Sequence, residues 1–138
     1  MIKFSMTATI NTQSVMRAMS QAAPQAVNAA ADVFADLERD YVPVLTGNLR
    51  DHIQVRPSES GPYYTEVVVA PAEDASNPYG FDPAYARRIE FGFAGTDSLG
   101  RVYNQPAQPY VRPAWDTGRQ DALDRATEVL SGAVVGAA

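Results

Sequence analysis

The acidic side chain best placed to do chemistry in this sequence is Glu90. It lies between Ile89 and Phe91 in a short apolar segment, where loss of water would raise the pKa of a carboxyl group and suit it to general acid catalysis. Two carboxyl groups are all that a glycosidase or a cell-wall hydrolase requires. The favoured interpretation is structural, because a carboxylate in apolar surroundings needs a partner. We expect an arginine to pair with it, Arg112 first and Arg50 second.

Other catalytic, cofactor and metal chemistry has little support in the sequence. His52 is the only histidine, and a lone histidine beside Asp51 in an extended segment is typical of a structural residue. Cysteine is absent, which excludes disulfides, thiolate catalysis and cysteine-rich zinc sites. No nucleophile elbow, phosphate-binding glycine loop, dinucleotide fingerprint or paired-histidine motif occurs. We therefore predict no catalytic residue, no metal and no cofactor.

The charge balance argues against a nucleic-acid-binding surface. Eleven basic and sixteen acidic residues give a net charge of -5, and the acidic excess is shared by both halves of the chain. Arg87 and Arg88 follow the aromatic Tyr85, but two arginines in an acidic chain are weak evidence for DNA binding. A DNA-binding regulator is therefore a minor hypothesis. The alternating N-terminus is not typical of a signal peptide, and no apolar run reaches membrane-spanning length.

The N-terminal third is predicted to contain a strand and two helices. Apolar and polar residues alternate from Ile2 to Ile10, which predicts a strand with one buried face. Asn11 can cap a helix that follows it. Pro24 is predicted to break this helix and to begin a second, core-facing one, because proline lacks the amide hydrogen. Pro43 ends the second helix by forcing the preceding residue out of helical geometry.

The middle of the chain is predicted to contain short elements and two loops. A single helical turn capped by Thr46 precedes an antiparallel strand pair around Ile53 and from Tyr63 to Ala70. A short helix spans Pro83 to Phe91, with Asp82 as its cap and Gly92 as its end. Two irregular segments, Pro71 to Asp82 and Phe93 to Gln108, flank that helix, and the second contains a turn and a possible hairpin.

A last helix begins at Tyr110 and is followed by a fraying tail from Ser131 to Ala138. Together these elements predict one α+β domain over residues 1–138, with both long helices packed on one face of a small antiparallel sheet. Trp115 is expected to be largely buried in its core. The predicted core comprises Phe34, Leu37, Val67, Val69, Trp115 and Leu123.

Three short blocks of sequence stand out along the chain, Val42 to Ile53, Tyr85 to Gly92 and Gln105 to Trp115. Together they resemble the small neck, tail-completion and minor tail proteins of tailed double-stranded DNA phages. Their order and spacing also match that family. The positions that carry the resemblance are Thr46, Gly47, Asn48, Leu49, Arg50, Tyr85, Glu90, Gly92, Pro109, Arg112 and Pro113.

The resemblance implies a virion structural protein and not an enzyme. It implies a ring-forming subunit of the head–tail connector or the end of the tail, with six copies favoured and twelve possible. Its neighbours would be portal, connector or tail-tube proteins, and DNA would pass through the channel without specific binding. The expected location is the neck or upper tail, after assembly in the host cytoplasm. A virion-associated cell-wall hydrolase using Glu90 is the alternative.

The two irregular segments are the predicted assembly devices, mobile in the monomer and ordered in the ring. Loops of this length are uncommon in a small domain unless they bind something. Aromatic and arginine side chains dominate interface energies. The predicted interface residues are Tyr79, Phe81, Tyr85, Arg87, Arg88, Phe93 and Tyr103. The alternative is that these aromatic side chains seal the edge of the chain's own core.

Overall fold

The computed structural model of the chain describes residue 9 and residues 11–43, 48–70 and 83–137. The predicted α+β class is confirmed. The predicted strand from Ile2 to Ile10 and the loop from Pro71 to Asp82 lie outside this range. The elements in chain order are α1 (Thr12–Tyr41), α2 (Asn48–Asp51), β1 (Ile53–Pro57), β2 (Thr65–Val69), α3 (Pro83–Phe91), β3 (Phe93–Thr96), β4 (Val102–Gln105) and α4 (Val111–Ala137).

Helix α1 begins and ends where the sequence predicts, but it is not broken. The Oδ1 atom of Asn11 accepts a hydrogen bond from the Ser14 backbone N–H at 3.2 Å, and the helix ends before the extended Val42. Pro24 lies inside the continuous helix, so the predicted break there is wrong. Ala22 and Ala26, on either side of the proline, are buried. Packing on both sides therefore outweighs the one hydrogen bond that proline removes.

Helix α4 runs antiparallel to α1 and continues to Ala137. The predicted fraying from Ser131 is wrong for residues 131–137, which are helical. The Ser14 hydroxyl donates to the Ala137 carbonyl oxygen at 3.4 Å, and Leu130 and Val134 lie beside Met19 of α1. The last turns of α4 are thus ordered by packing on the first turns of α1, because most helix stability comes from such tertiary contacts.

Small residues on α4 allow a close approach to α1. Ala114, Gly118 and Ala122 are buried at helical spacing. A methyl group added at Gly118 would overlap the side chain of Leu37 and contact the ring of Phe34. The two long helices therefore form one layer whose spacing depends on the absence of a side chain at Gly118.

The strands of the described residues form two antiparallel sheets, where the sequence predicted one. In the first, Ile53 of β1 is opposite Val69 of β2, and α1 packs on this pair. In the second, Phe93 of β3 is opposite Gln105 of β4, which confirms the hairpin suggested for this segment. The antiparallel pairing of β1 with β2 is also confirmed.

The core lies where α1, β1, α3 and the start of α4 meet, and Val67 and Val69 pack against it as predicted. Two other predictions for the core are wrong, because Trp115 is 57% exposed and Leu123 is 60% exposed. Each lies one residue beyond the buried Ala114 and Ala122 and therefore about 100° around the helix. The buried cluster comprises Ala35, Val42, Leu49, Ile53, Ala86, Ile89 and Tyr110.

Candidate assembly site

The three sequence blocks meet in the core. The buried cluster contains Leu49 and Ile53 from the first block, Ile89 from the second and Tyr110 from the third. Leu49 of the first block and Tyr110 of the third, 61 positions apart, are thereby held in one place. The blocks are therefore first of all an architectural junction, and any surface that they carry is mounted on a common core. We call the connection between α3 and the start of α4 the α3–α4 junction.

Glu90 closes the α3–α4 junction by capping α4. Its Oε2 atom accepts hydrogen bonds from the backbone N–H groups of Tyr110 at 2.7 Å and Val111 at 3.0 Å. Its Oε1 atom accepts from the backbone N–H of Arg112 at 3.2 Å. The first N–H groups of a helix lack partners within the helix and carry partial positive charge, so a carboxylate there is stabilising. The cap of α4 is thus supplied by a side chain of α3 that lies 20 residues before Tyr110 in the sequence.

The predicted ion pair between Glu90 and an arginine side chain is therefore wrong. The side chain of Arg112 lies near Asp116, with 3.9 Å between nitrogen and oxygen, and Arg50 pairs with its neighbour Asp51 at 3.3 Å. Arg112 is a partner of Glu90, but only through its backbone. Because both carboxylate oxygens already accept backbone hydrogen bonds, the geometry gives Glu90 a structural role and does not favour its use as a general acid.

Gly92 is the second contact of the α3–α4 junction. Its φ of +77° is a conformation that glycine adopts readily. A methyl group built on it would lie 2.9 Å from the backbone nitrogen of Ala107 and 2.9 Å from the carbonyl oxygen of Gln105. The Gln108 backbone N–H also donates to the Ile89 carbonyl oxygen at 2.8 Å. The proline-containing third block therefore packs directly on the end of α3.

A buried acid beneath this junction was missed by the sequence analysis. Glu38 of α1 is only 6% exposed. Burial, with repulsion from Glu90 added, raises its pKa to about 7. Burial, with the negative charges of Glu38 and Glu90, likewise raises the pKa of Tyr110 to about 12. The helical spacing of the sequence could have indicated this burial, because Glu38 falls on the same face as the buried Ala31, Ala35 and Val42.

The exposed part of the junction consists of the end of α3 and the hairpin. Phe91 is 73% exposed, and Arg87, one turn earlier, is also exposed. Arg88 lies over the ring of Phe93, with 4.5 Å to the ring centroid. Phe93 in turn contacts Tyr103, with 6.2 Å between ring centroids. Arg88, Phe93 and Tyr103 therefore form one small cluster, and the exposed Arg87 and Phe91 line one cavity together with Arg88 and Phe93.

The turn of the hairpin is organised by Asp97. Its carboxylate accepts hydrogen bonds from the backbone N–H groups of Leu99 and Arg101, both at 2.9 Å. The Arg101 Nε–H donates at 2.6 Å and the Tyr103 hydroxyl at 3.0 Å. These hydrogen bonds lower the pKa of Asp97. The backbone N–H of Arg101 has the largest effect, and the side chains of Arg101 and Tyr103 add to it. The hairpin is thus held by its own polar contacts.

The remaining predicted site residues fall into four groups. Leu49 is buried, and Pro113 is half-buried. Asn48 begins α2. Those on the surface are Arg50, Tyr85, Pro109 and Arg112. Those that lie outside the described residues are Thr46, Gly47, Tyr79 and Phe81.

Comparison with known protein families identifies the chain. Residues 7–92 match the family described as "Bacteriophage HK97-gp10, putative tail-component". The chain belongs to this family of phage tail components. The match includes the first two sequence blocks and the whole of α3. No curated protein and no solved structure matches the chain.

Family membership gives the coarse role of the protein. It is a structural component of a phage tail, is located in the virion and interacts with other phage proteins. The third block lies beyond the matched residues, but Glu90 and Gly92 join it to the second block. Within the described part of the chain, no group of three or more metal-binding side chains occurs. In the same residues, no helix has the length and apolar character needed to cross a membrane.

Proposed function

We propose that this tail component is a subunit of the head–tail connector or of the tail-completion layer, and that it works by assembling into a ring. Six copies are favoured and twelve are possible. Its neighbours above and below would be portal, connector or tail-tube proteins. The protein would be assembled in the cytoplasm of the host bacterium and remain in the neck or upper tail of the virion.

The observation that carries this proposal is the exposed surface on the α3–α4 junction. Phe91 and Arg87 are held on a short helix whose end is fixed by Glu90 and Gly92, yet their side chains face solvent. Large apolar and arginine side chains presented on a rigid support are typical of interface anchors. Such a surface suits a protein that functions through contacts with neighbouring subunits.

Passage of DNA through the ring is consistent with the charge of the chain. The net charge is -5, and a basic channel wall would bind DNA phosphates and retard their movement. We therefore expect the protein to contact DNA without binding it specifically. Electrophoretic mobility of a DNA duplex should not change in the presence of the purified protein, and a retarded band would instead favour the DNA-binding regulator.

Genetic and structural experiments test the role directly. In a phage that lacks the protein, we expect filled heads and free tails that do not join, and joining should be restored by adding the purified protein to the lysate. Electron microscopy and native mass measurement of the purified protein should show a ring of six or twelve 14.9 kDa subunits. Normal particles formed without the protein would refute the proposal. Peptidoglycan clearing that is abolished by Glu90→Gln would favour the hydrolase.

A further inference from the structure

An apolar groove lies between the first half of α1 and the last turns of α4. We call it the end groove, because it opens at the end of the two-helix layer that is remote from the α3–α4 junction. Met19 forms its wall on α1, and its volume is about 390 Å³. Its wall on α4 consists of Thr127, Leu130, Ser131, Val134 and Val135. A segment bound here would meet mainly aliphatic and thioether surface.

The end groove is open in the part of the chain that the structure describes. Only α1 and α4 contribute to its lining there. Met19 is 42% exposed and Val135 is 77% exposed. Met16, three residues before Met19 and therefore on the same face of α1, is 63% exposed. Contiguous exposed apolar side chains usually mark a surface on which another segment binds, and methionine adapts its shape readily to such a segment.

The sequence supplies a segment with the complementary chemistry. Apolar and polar residues alternate over residues 2–10, which we call the N-terminal arm, and successive side chains of an extended segment point to opposite faces. One face would carry Ile2, Phe4, Met6, Ala8 and Ile10, and the other Lys3, Ser5, Thr7 and Thr9. Thr9 is the only one of these residues that the structure describes, and it is exposed. The apolar face of the arm and the end groove can therefore bury each other.

The N-terminal arm is attached beside the end groove and is long enough to cover it. Asn11 caps α1, and Met19 lies eight residues further on, or about 12 Å along the helix axis. The last turn of α4 is also close to this attachment, because the Ser14 hydroxyl donates to the Ala137 carbonyl oxygen at 3.4 Å. Nine extended residues span about 30 Å. An arm that turns back at Asn11 would therefore reach along the whole groove.

The short connection favours the arm of the same chain over any separate partner. A segment held by a short tether is present at an effective concentration in the millimolar range. A separate protein, or the arm of a second copy, must in addition lose translational and rotational freedom when it binds. With equal apolar contacts, the arm of the same chain therefore occupies the groove first.

We propose that the N-terminal arm folds back over the end groove of its own chain. Its apolar face, with Phe4 and Met6 at the centre, packs on Met19 and Leu130, and its polar face remains in solvent. The inference concerns a single chain and does not rest on the proposed function. The arm acts as a strap that buries the exposed apolar side chains at this end of the two-helix layer.

Cysteine cross-linking of the purified full chain tests this contact, since the natural sequence contains no cysteine. Leu130→Cys is combined in turn with Phe4→Cys and with Met6→Cys, and mild oxidation should give a disulfide within one chain. Non-reducing gels should show it as a faster monomer band. The matched controls combine Leu130→Cys with Ser5→Cys or Thr7→Cys, which lie on the other face of an extended arm. Their disulfides should form several-fold more slowly, because the two Cβ atoms must approach within about 4.5 Å.

The pattern of cross-links decides the proposal. Linked monomers that form faster from the apolar positions of the arm than from the polar positions support it. Equal rates from both sets, or no linked monomer from any pair, would overturn it. Disulfides found only between chains would also overturn it and would indicate that copies exchange their arms.

Oxidation of the natural Met19 tests the same contact with the groove unchanged. Dilute hydrogen peroxide converts exposed methionine to its sulfoxide, and mass spectrometry of peptides gives the rate. Met19 should be oxidised several-fold faster in the double variant Phe4→Asp, Met6→Asp than in the wild type, because the charged arm leaves the apolar groove. The control Ser5→Asp, Thr7→Asp adds the same charge on the polar face and should keep the slow rate. Equal rates at Met19 in all three proteins would contradict the proposal.

Discussion

The carboxylate of Glu90 accepts a hydrogen bond from the backbone N–H of Tyr110 at 2.7 Å, and this contact joins the end of α3 to the start of α4. Two further backbone N–H groups of α4 share the same carboxylate. Removing it should therefore leave several helix-terminal donors with fewer partners.

Replacing Glu90 should destabilise the fold much more than replacing the side chain of Arg112. Glu90→Ala should lower the free energy of unfolding by about 2 kcal/mol, because a charged cap with three hydrogen bonds is lost. Arg112→Ala keeps its backbone N–H and loses only an exposed contact with Asp116, so about 0.5 kcal/mol or less is expected. Urea unfolding of both variants measures the difference. Equal losses would show that the arginine side chain matters as originally predicted.

The stability of the protein should fall as the pH rises from about 4.5 to about 7. The folded-state pKa of Glu38 is raised to about 7 from an ordinary value of 4.5, so the folded protein binds a proton in this range that the unfolded chain has released. The linked loss of stability is on the order of 3 kcal/mol. Glu38→Gln should flatten this pH dependence and be more stable than the wild type at pH 8. An unchanged slope in Glu38→Gln would contradict the prediction.

Alanine at Gly92 should be far more costly than alanine at Gly100. Both glycines have a positive φ, of +77° and +78°, so both substitutions lose about 1 kcal/mol to backbone strain. Only at Gly92 does the added methyl group also meet the backbone of the third block, whereas nothing lies within 4 Å at Gly100. We expect a total loss of roughly 3 kcal/mol at Gly92. Thermal unfolding of the two variants compares them directly, and similar melting temperatures would refute the close contact.

Trp115→Ala should cost less than Tyr110→Ala, although tryptophan is the larger residue. Trp115 is mostly exposed and is held by stacking on Phe34, so its removal should cost about 1–2 kcal/mol. Tyr110 is only 2% exposed, and removal of a buried aromatic ring costs about 3–5 kcal/mol. Chemical unfolding gives both values. A loss at Trp115 that exceeds the loss at Tyr110 would place Trp115 in the folding core after all.

Local signals in the sequence were sufficient for many elements of this fold. Asn11 and Gly92 mark a helix start and a helix end because each acts on the backbone beside it. Pro43 similarly follows the last turn of α1. The antiparallel pairing of β1 and β2 was predictable because a short turn joins two β-prone segments.

Features that depend on contacts distant in sequence were not predictable. Pro24 is tolerated within α1, and the last turns of α4 are helical, because the two helices support each other along their lengths. The partner of Glu90 was misassigned for a related reason. A carboxylate in a sequence is readily assigned an arginine partner, because arginine is recognisable as a residue type. The partners of Glu90 are instead backbone N–H groups at the start of a helix 20 residues away, and no particular residue type marks such groups.

The candidate site was partly predictable. The sequence indicated Tyr85, Arg87 and Arg88, and these three side chains are exposed on the folded chain. It did not indicate that Phe91 is exposed, and it placed Trp115 in the core although most of that side chain is exposed. Whether a tryptophan on an amphipathic helix is buried depends on which neighbouring residue faces the partner helix, and here the small residues at 114, 118 and 122 do so.

A single peptide bond separates the exposed Phe91 from Glu90, whose carboxylate accepts the backbone N–H groups of Tyr110, Val111 and Arg112. A partner that displaced Phe91 would therefore also disturb this carboxylate. Faster hydrogen exchange at these three amides would then reveal binding at Phe91, although none of the amides would touch the partner.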